Sequence, residues 1–336
     1  MKKILSIIIP TYNAEKYLRK CLESFGKIRE EERRKCEILV INDGSSDDSV
    51  NIAKEFAEEQ PEIFKIVHKE NGGHGSAINV GVRAATGKYF KVVDADDWVD
   101  FQDAEKMIRL LETETADAII TGYWTYNIVE KARKQYDVNV ADESRYYNLD
   151  ELMDKWKQIE WGMTFHGIWY RRDFYKSLHY TLVEHVFYED QEYATIPLCY
   201  AQKIRCTNTH MYVYRIGDVN QSVSSENQIK RLPDAQKVIE RMMEKGRDAK
   251  KFAIGGERYW QKKLTMMINS YYEISLLKDP DRVLGRKNAR DLEKRIVECS
   301  PRIAQLNKHK YQIFRMMNYL RVKDTTYQKI LARIKK

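Results

Sequence analysis

An α/β fold is what this chain predicts: a mostly parallel sheet flanked by helices, with a helical region appended at the C-terminus. Three observations carry the prediction. Over roughly the first 125 residues, short apolar runs alternate with segments of helical period. The runs are continuous rather than every-other-residue, as strands covered on both faces require. From about Gln228 onward the pattern is helical to the end.

The elements follow in order. Leu5 to Ile9 is an isoleucine-rich first strand ending at Pro10. It briefly resembles a secretion signal, but the apolar run is too short and no small-residue cleavage site follows. Asn13 is an N-cap type, and Leu18, Cys21, Leu22 and Phe25 give the i, i+3, i+4, i+7 face of a first helix. Glu37–Asp43 is a second strand. Gly44 turns the chain, and Ser45, Ser46, Asp47 and Asp48 open a helix whose positive end suits acids. Phe64–Lys69 is a third strand, and a glycine-rich turn leads to a short helix around Ala77–Ala85. "YFKVVDA" is a fourth strand, Ala104, Met107, Ile108 and Leu111 mark the next helix, and "DAIITGYW" is a fifth strand. Right-handed crossovers then restrict the topology. Residues 126–225 are aromatic-rich and less regular, with a helix near Leu149–Trp156 and strand alternation at His210–Ile216. "GGERYWQKKLTMMINSYYEISLLKD" is one long helix stopped at Asp279-Pro280.

Composition bounds the class. The chain has 336 residues, 43% hydrophobic and 32% charged, which is ordinary for a globular protein and rules out a disordered one. No apolar run approaches the roughly 18 residues of a membrane helix. Five cysteines with no C-x-x-C pair fit a reducing compartment and neither a disulfide framework nor a zinc site. The net charge of +8 concentrates late: from Asp281 on there are sixteen Lys/Arg against five acids. Such an end suits solvated helix faces, anionic lipid, nucleic acid or an acidic partner surface.

Ligands of open parallel sheets bind at the carboxyl ends of the strands. Here the unusual polar residues sit at those ends: Thr11, Tyr12 and Asn13; Asn42 and Asp43; Lys69, Asn71, Gly73 and His74; Asp94, Asp96 and Asp97. The last set places three carboxylates in four positions. That is unfavourable unless a cation sits among them. Oxygen ligands select hard cations, Mn2+ or Mg2+, which bridge to substrate phosphates. Capping of the following helix is the competing explanation for Asp97 or Asp100. The run "NGGHGSAIN" offers close backbone approach and N–H groups at a helix start, suited to phosphate.

At this point the residues resemble a known family. "SIIIPTYNAEKYLRKCLES", "EILVINDGSSDDS", "KENGGHGSAINVGVRAATGKYFKVVDADDW" and "YEDQE" are similar, in order and separation, to family 2 glycosyltransferases with the GT-A fold. The resemblance covers about the first 225 residues. It implies inverting transfer of a sugar from a nucleotide-sugar, a UDP-hexose or UDP-N-acetylhexosamine, to a hydroxyl on a growing glycan that is free, lipid-linked or protein-linked. Carried over by position, Thr11 and Tyr12 flank uracil and Asp43 bonds its ring, with Asn13 beside them. Lys69, Asn71 and Gly73 line the nucleotide site. Asp94-Ala95-Asp96 resembles the family's D-x-D, with Asp96 and Asp94 as metal ligands. Asp190, in the acidic pair Glu189-Asp190, resembles the catalytic base. Tyr214–Ser224 resembles the loop that closes over the diphosphate, with Arg215, Gln221 and Ser222 as contacts. Trp161–Arg172 resembles the acceptor side, with Trp161 and His166 facing sugar. One departure stands out: Ala77-Ile78-Asn79 replaces the usual Ala-Arg-Asn, and His74 is the nearest basic substitute.

The resemblance divides the chain into a nucleotide-sugar part, 1–125, an acceptor part of the same domain, 126–225, and a helical region, 226–336. The expected setting is cytoplasmic, with the basic C-terminus peripheral at the inner face of a membrane, the C-terminal helices available for a homo-oligomer or for packing on the catalytic domain, and no nucleic-acid partner. Two other readings compete. A catalytically silent nucleotide- or glycan-binding module would keep binding without turnover. A phosphotransfer enzyme would carry its acid pair on the first strand rather than the fourth.

Overall fold

The structure is a computed structural model describing residues 2–218, 225–322 and 324–334. Residues 1–218 with 251–256 form one compact unit, and 219–250 with 257–336 a second. Positions Gln221 and Ser222 of the expected closing loop lie outside the described residues.

The first unit is built on twelve strands: β1 (Leu5–Thr11), β2 (Cys36–Asn42), β3 (Phe64–His68), β4 (Tyr89–Val92), β5 (Trp98–Val99), β6 (Ala118–Thr121), β7 (Tyr123–Asn127), β8 (Ala132–Tyr136), β9 (Tyr146–Tyr147), β10 (Ile168–Arg171), β11 (Ile204–Thr207) and β12 (Tyr212–Ile216). Its helices are α1 (Leu18–Gly26), α2 (Glu30–Arg33), α3 (Ser49–Glu59), α4 (His74–Ala84), α5 (Phe101–Thr113), α6 (Leu149–Asp154), α7 (Trp156–Ile159), α8 (Arg172–Ser177) and α9 (Glu189–Thr195). The main sheet runs β3-β2-β1-β4-β10-β6-β11-β9, and a second sheet runs β5-β12-β7-β8. β1 pairs in parallel with β2 and β4, and β2 with β3. Every residue of β1 and β2 is buried, which explains their unbroken apolar runs.

The main sheet is mixed rather than purely parallel. β10 inserts antiparallel between β4 and β6. The expected fifth strand is also two strands in two sheets, divided at Gly122. A Cβ on Gly122 would lie 2.5 Å from the His210 ring and 2.6 Å from the Tyr136 carbonyl, so only glycine lets the chain cross there. Two local readings are corrected. Asn13 caps no helix: α1 begins at Leu18, and Asn13 sits at φ 48° with its side-chain carbonyl accepting from Ser46 N at 2.8 Å. α4 starts earlier than expected, at His74, because Gly73 at φ 85° supplies the turn that launches it.

The second unit is helical: α10 (Ser225–Lys230), α11 (Leu232–Gly246), α12 (Gly256–Glu273), α13 (Arg282–Cys299), α14 (Pro301–Tyr319) and α15 (Asp324–Ile334). α12 runs on through a π-helical turn, Ile274–Lys278, and stops at Asp279 as the following proline requires. Within this unit, side chains of α12 find partners on α11 and α14. Trp260 Nε1 donates to Met242 O at 2.9 Å, Tyr271 Oη to Gln236 Oε1 at 3.2 Å, and the Tyr272 ring lies tilted against Tyr311 at 5.0 Å.

Candidate active site

Two clusters form at the carboxyl ends of the first four strands. The first is organised by Asp43, buried just past β2. Its carboxylate accepts Gly72 N at 2.9 Å and Gly73 N at 2.8 Å and pairs with Lys69. Asn71 Nδ2 donates to the Asp43 carbonyl at 3.0 Å. Asp43 N in turn donates to Thr11 O at 2.9 Å, and Asn13 N donates to Ser45 Oγ at 3.1 Å. Thr11, Asn13, Asp43, Lys69, Asn71 and Gly73 are therefore brought together, and Tyr12 stands beside them 55% exposed, its ring open to a ligand. Thr11 is buried, with its hydroxyl donating to Ile9 O at 3.0 Å, so it shapes the wall rather than presenting a polar group.

The second cluster is the acid turn between β4 and β5. One carboxylate oxygen from each of Asp94, Asp96 and Asp97 lies within 4.8 Å of the others. Their environments differ. Burial and the neighbouring Asp94 push Asp96 up to about 6. Burial, then Asp96 and Asp94, push Asp97 well above the carboxylate range. Partial burial also works against ionised Asp94, but the His74 imidazolium more than offsets it and Asp94 is held down. His74 Nε2 donates to Asp94 Oδ1 at 2.8 Å and its Nδ1 donates to Glu189 Oε1 at 2.6 Å. Carboxylates only accept, so both ring nitrogens carry protons. Burial alone would depress His74, and the two acids raise it well above its ordinary value.

Asp97 was read as one of two candidate helix caps. Asp100 takes that role, accepting from Gln102 N and Asp103 N at the start of α5. Asp97 instead is buried, accepting Tyr212 Oη–H at 2.5 Å and Arg215 N at 2.7 Å. Tyr212 Oη accepts from Asp94 N at 3.2 Å, so β12 closes over the acid turn. Arg215 lies 4.0 Å from Asp96 Oδ2. The acid cluster marked Asp97, but not its role as a buried acceptor, because its partners come from 115 and 118 positions downstream.

Asp190 sits in the first turn of α9, with Gln191 Nε2 donating to its Oδ2 at 2.9 Å. That turn is entered through Tyr188 at φ 73°, an uncommon conformation for a bulky residue. The approach is set by glycine: a Cβ on Gly75 would lie 2.5 Å from Val183 O and 3.0 Å from Glu189 Cγ. His185 N also donates to Gly72 O at 2.8 Å. The glycine turn thus seats the segment leading to Asp190 against the Asp43 cluster. Tyr214 lies in β12 between Tyr212 and Arg215, both of which donate to Asp97, so this strand borders the acid turn.

Sequence reasoning missed Lys91. It is fully buried mid-strand in β4, and its Nζ donates to the carbonyls of Phe165 (2.8 Å), His166 (2.8 Å) and Ile168 (3.0 Å). Burial pulls it well below the ordinary lysine value, with Asp94 opposing. A lysine inside an apolar run was the available signal. The turn it pins carries His166, which burial lowers to about 4 and so keeps neutral.

The residues fit a hard divalent cation: three oxygen donors converge, and the burial and mutual repulsion that push Asp96 and Asp97 toward protonation are what a cation offsets. The sequence model of "Glycosyl transferase family 2" matches residues 6–178. The chain belongs to this family. The family-2 chain is 32% identical over 222 residues to EpsH of Bacillus subtilis, covering 63% of this chain and 60% of EpsH. It is 30% identical over 223 residues to Glycosyltransferase GlyA of Streptococcus pneumoniae, covering 63% of this chain and 30% of GlyA. The matched region thus spans three fifths of EpsH and less than a third of GlyA. In fold it is similar to S. aureus TarS 1–349 in complex with UDP-GlcNAc, with TM-score 0.65, 16% identity, and 95% of this chain and 92% of that one covered. The mannosyltransferase PcManGT from Pyrobaculum calidifontis, in complex with GDP-Man and Mn2+, gives TM-score 0.54 at 17% identity, covering 95% and 85%. The GT-A-like architecture, a mixed sheet flanked by helices with a helical C-terminal region, is shown.

Proposed function

We propose that this family-2 glycosyltransferase moves a hexose or N-acetylhexosamine from a UDP-sugar to a hydroxyl of a growing glycan, with inversion. One observation carries the reading: His74 joins Asp94 of the acid turn to Glu189, the neighbour of Asp190. Donor-side acids and a candidate base therefore share one wall.

In this reading Tyr12 stacks on the uracil. Asp43 uses a remaining lone pair for the ring while its other bonds hold the Gly72–Gly73 turn. Lys69, Asn71 and Gly73 line the nucleotide. Asp96 and Asp94 hold Mn2+ or Mg2+, which when bound neutralises charge on the diphosphate. Arg215 lies close enough to Asp96 to add positive charge on the same side. The C–O bond between the anomeric carbon and the β-phosphate breaks, its electron pair leaving with UDP. The acceptor oxygen bonds to that carbon from the opposite face and its proton passes to Asp190. Ser222 stands in this proposal as a donor contact. The 1–125, 126–225 and 226–336 division, cytoplasmic setting, peripheral membrane contact of the basic C-terminus and homo-oligomer remain part of the same proposal. Among the described residues no helix is long and apolar enough to cross a membrane.

The test is Asp190→Asn. Loss of a general base lowers turnover by on the order of 10²–10⁴-fold. UDP affinity, measured by calorimetry, stays at the wild-type value. Turnover of UDP-sugar by the variant at the wild-type rate removes Asp190 from the role and favours another base.

A further inference from the structure

We propose that the helical unit carries a binding pocket for a phosphate ester, built by Arg282, Arg286 and Arg321. The pocket shares no residue with the donor site and is independent of the glycosyl transfer proposed above.

Its volume is about 510 Å³, and Val283, Asn318 and Tyr319 also form its wall. Arg282 and Arg286 stand four positions apart at the start of α13, so they project from one face of that helix. Arg321 arrives from the end of α14. That end is closed by two backbone bonds, Arg321 N to Asn318 O at 3.1 Å and Val322 N to Met317 O at 2.9 Å. The closure puts Arg321 in the left-handed region, at φ 54°, where glycine or asparagine is usual. A long cation is thus kept at a position whose backbone does not favour it.

The charge of the pocket is one-sided. Elsewhere on the same two helices arginines find acids: Arg295 pairs with Glu240 at 3.0 Å and Arg302 with Glu257 at 3.0 Å. Among the described residues Arg282, Arg286 and Arg321 have no carboxylate at ion-pair distance. The acid in the wall, Asp281, is occupied as the cap of α13, its Oδ1 accepting from Val283 N at 3.0 Å and Leu284 N at 2.9 Å.

Two of the guanidiniums are held in place. Arg282 donates to Leu276 O at 2.6 Å and Val322 O at 3.1 Å. Arg286 donates to Asn318 Oδ1 at 2.6 Å and lies 4.8 Å from the centre of the Tyr319 ring. Asn318 is buried and fixed in turn, donating to Leu276 O at 2.7 Å. A guanidinium has five N–H donors, so both arginines keep donors for a ligand. Satisfying helix-end carbonyls accounts for Arg282. It does not account for Arg321, whose side chain has no hydrogen-bond or ion-pair partner among the described residues, nor for three cations without a counter-charge.

A phosphate supplies both the charge and several acceptor oxygens, in the geometry that guanidinium forks match. The space is far larger than one ion fills, and Val283 and Tyr319 border it 68% and 64% exposed. Such surface suits the organic part of an ester rather than a bare ion. The ester is either a soluble compound or the headgroup of an anionic lipid, for which the exposed Leu284 and Leu320 stand beside the pocket.

The experiment uses the full chain with UDP and Mn2+ in excess, so that the donor site is filled. Glycerol phosphate and glucose phosphate are titrated by calorimetry. Flotation with phosphatidylcholine vesicles, with and without phosphatidylglycerol, is the second arm. The variants are Arg321→Gln, Arg286→Lys and, as a control, the double change Lys308→Gln with Lys310→Gln on the exposed surface of α14. Arg321 is exposed, and Arg286→Lys keeps the charge and a donor for Asn318, so the fold survives. We expect saturable binding that each pocket variant weakens about tenfold, the order that lost charge-assisted hydrogen bonds bring, while the control leaves it unchanged. Soluble probes bound in this pattern identify a soluble ester. Vesicles alone bound in this pattern identify a lipid headgroup. Vesicle binding weakened equally by pocket and control variants reports only a basic surface and overturns the pocket, as does binding of neither probe class.

Discussion

At the scale of single residues, Lys91 is the sharpest case of chemistry placed against its surroundings. A buried ammonium is costly, and it persists here because three carbonyls take its three protons. Lys91→Met keeps length and removes the donors, leaving those carbonyls unpaired. We expect a loss of about 1–3 kcal/mol, the usual cost of orphaned buried acceptors, read as a lower midpoint in urea unfolding. An unchanged midpoint would mean that water or a shifted turn satisfies the carbonyls as well. At this scale the site was partly legible. Asp94 and Asp96 stood out because clustered carboxylates at a strand end have few other uses. Asp97 stood with them, but its role did not show, because the choice between cap and buried acceptor depends on Tyr212 and Arg215, which only the tertiary fold brings near. Asp100 caps because its backbone is extended at ψ 116°, a property no side-chain pattern displays.

At the scale of elements, the glycine turn before α4 does two jobs. Gly73 provides the positive φ, and Gly75 provides the space in which Val183 and Glu189 lie. Gly75→Ala should push the start of α9 outward and displace Asp190. We expect kcat to fall by on the order of 10²-fold, as a misplaced reacting group costs, with UDP affinity less affected. Equal losses in UDP affinity and kcat would show that the substitution spoils the donor turn instead. Strands with long apolar runs, β1 and β2 above all, were legible because burial on both faces leaves few polar positions. The antiparallel entry of β10 was not. Its four residues carry no signal of strand direction, and its place between β4 and β6 is set by pairing with distant strands.

At the scale of the whole molecule, acid stability should report a network under the main sheet. Glu37, fully buried in β2, accepts from Ser6 Oγ at 2.7 Å, Thr86 N at 2.6 Å, Thr86 Oγ1 at 2.8 Å and Lys65 Nζ at 3.0 Å. Burial opposes its charge, and these four donors outweigh burial, lowering it to about 2. A depressed folded-state value contributes stability that is complete above the unfolded value, near 4.5, and lost as pH falls toward 2. The contribution is about 3 kcal/mol. Glu37→Gln should be less stable at pH 7 and should lose less on going from pH 5 to pH 3 in urea titrations. Parallel curves for the two proteins would contradict the assignment.

The same scale holds the central claim, that the ends of the first four strands form one metal-assisted UDP-sugar site. The most direct test is a calorimetric titration of UDP, with and without Mn2+, on wild type and on Asp96→Asn. The account predicts binding to wild type that strengthens markedly with Mn2+, and loss of that metal-dependent gain in the variant. UDP binding indifferent to both metal and Asp96, or no UDP binding under any condition, would contradict it.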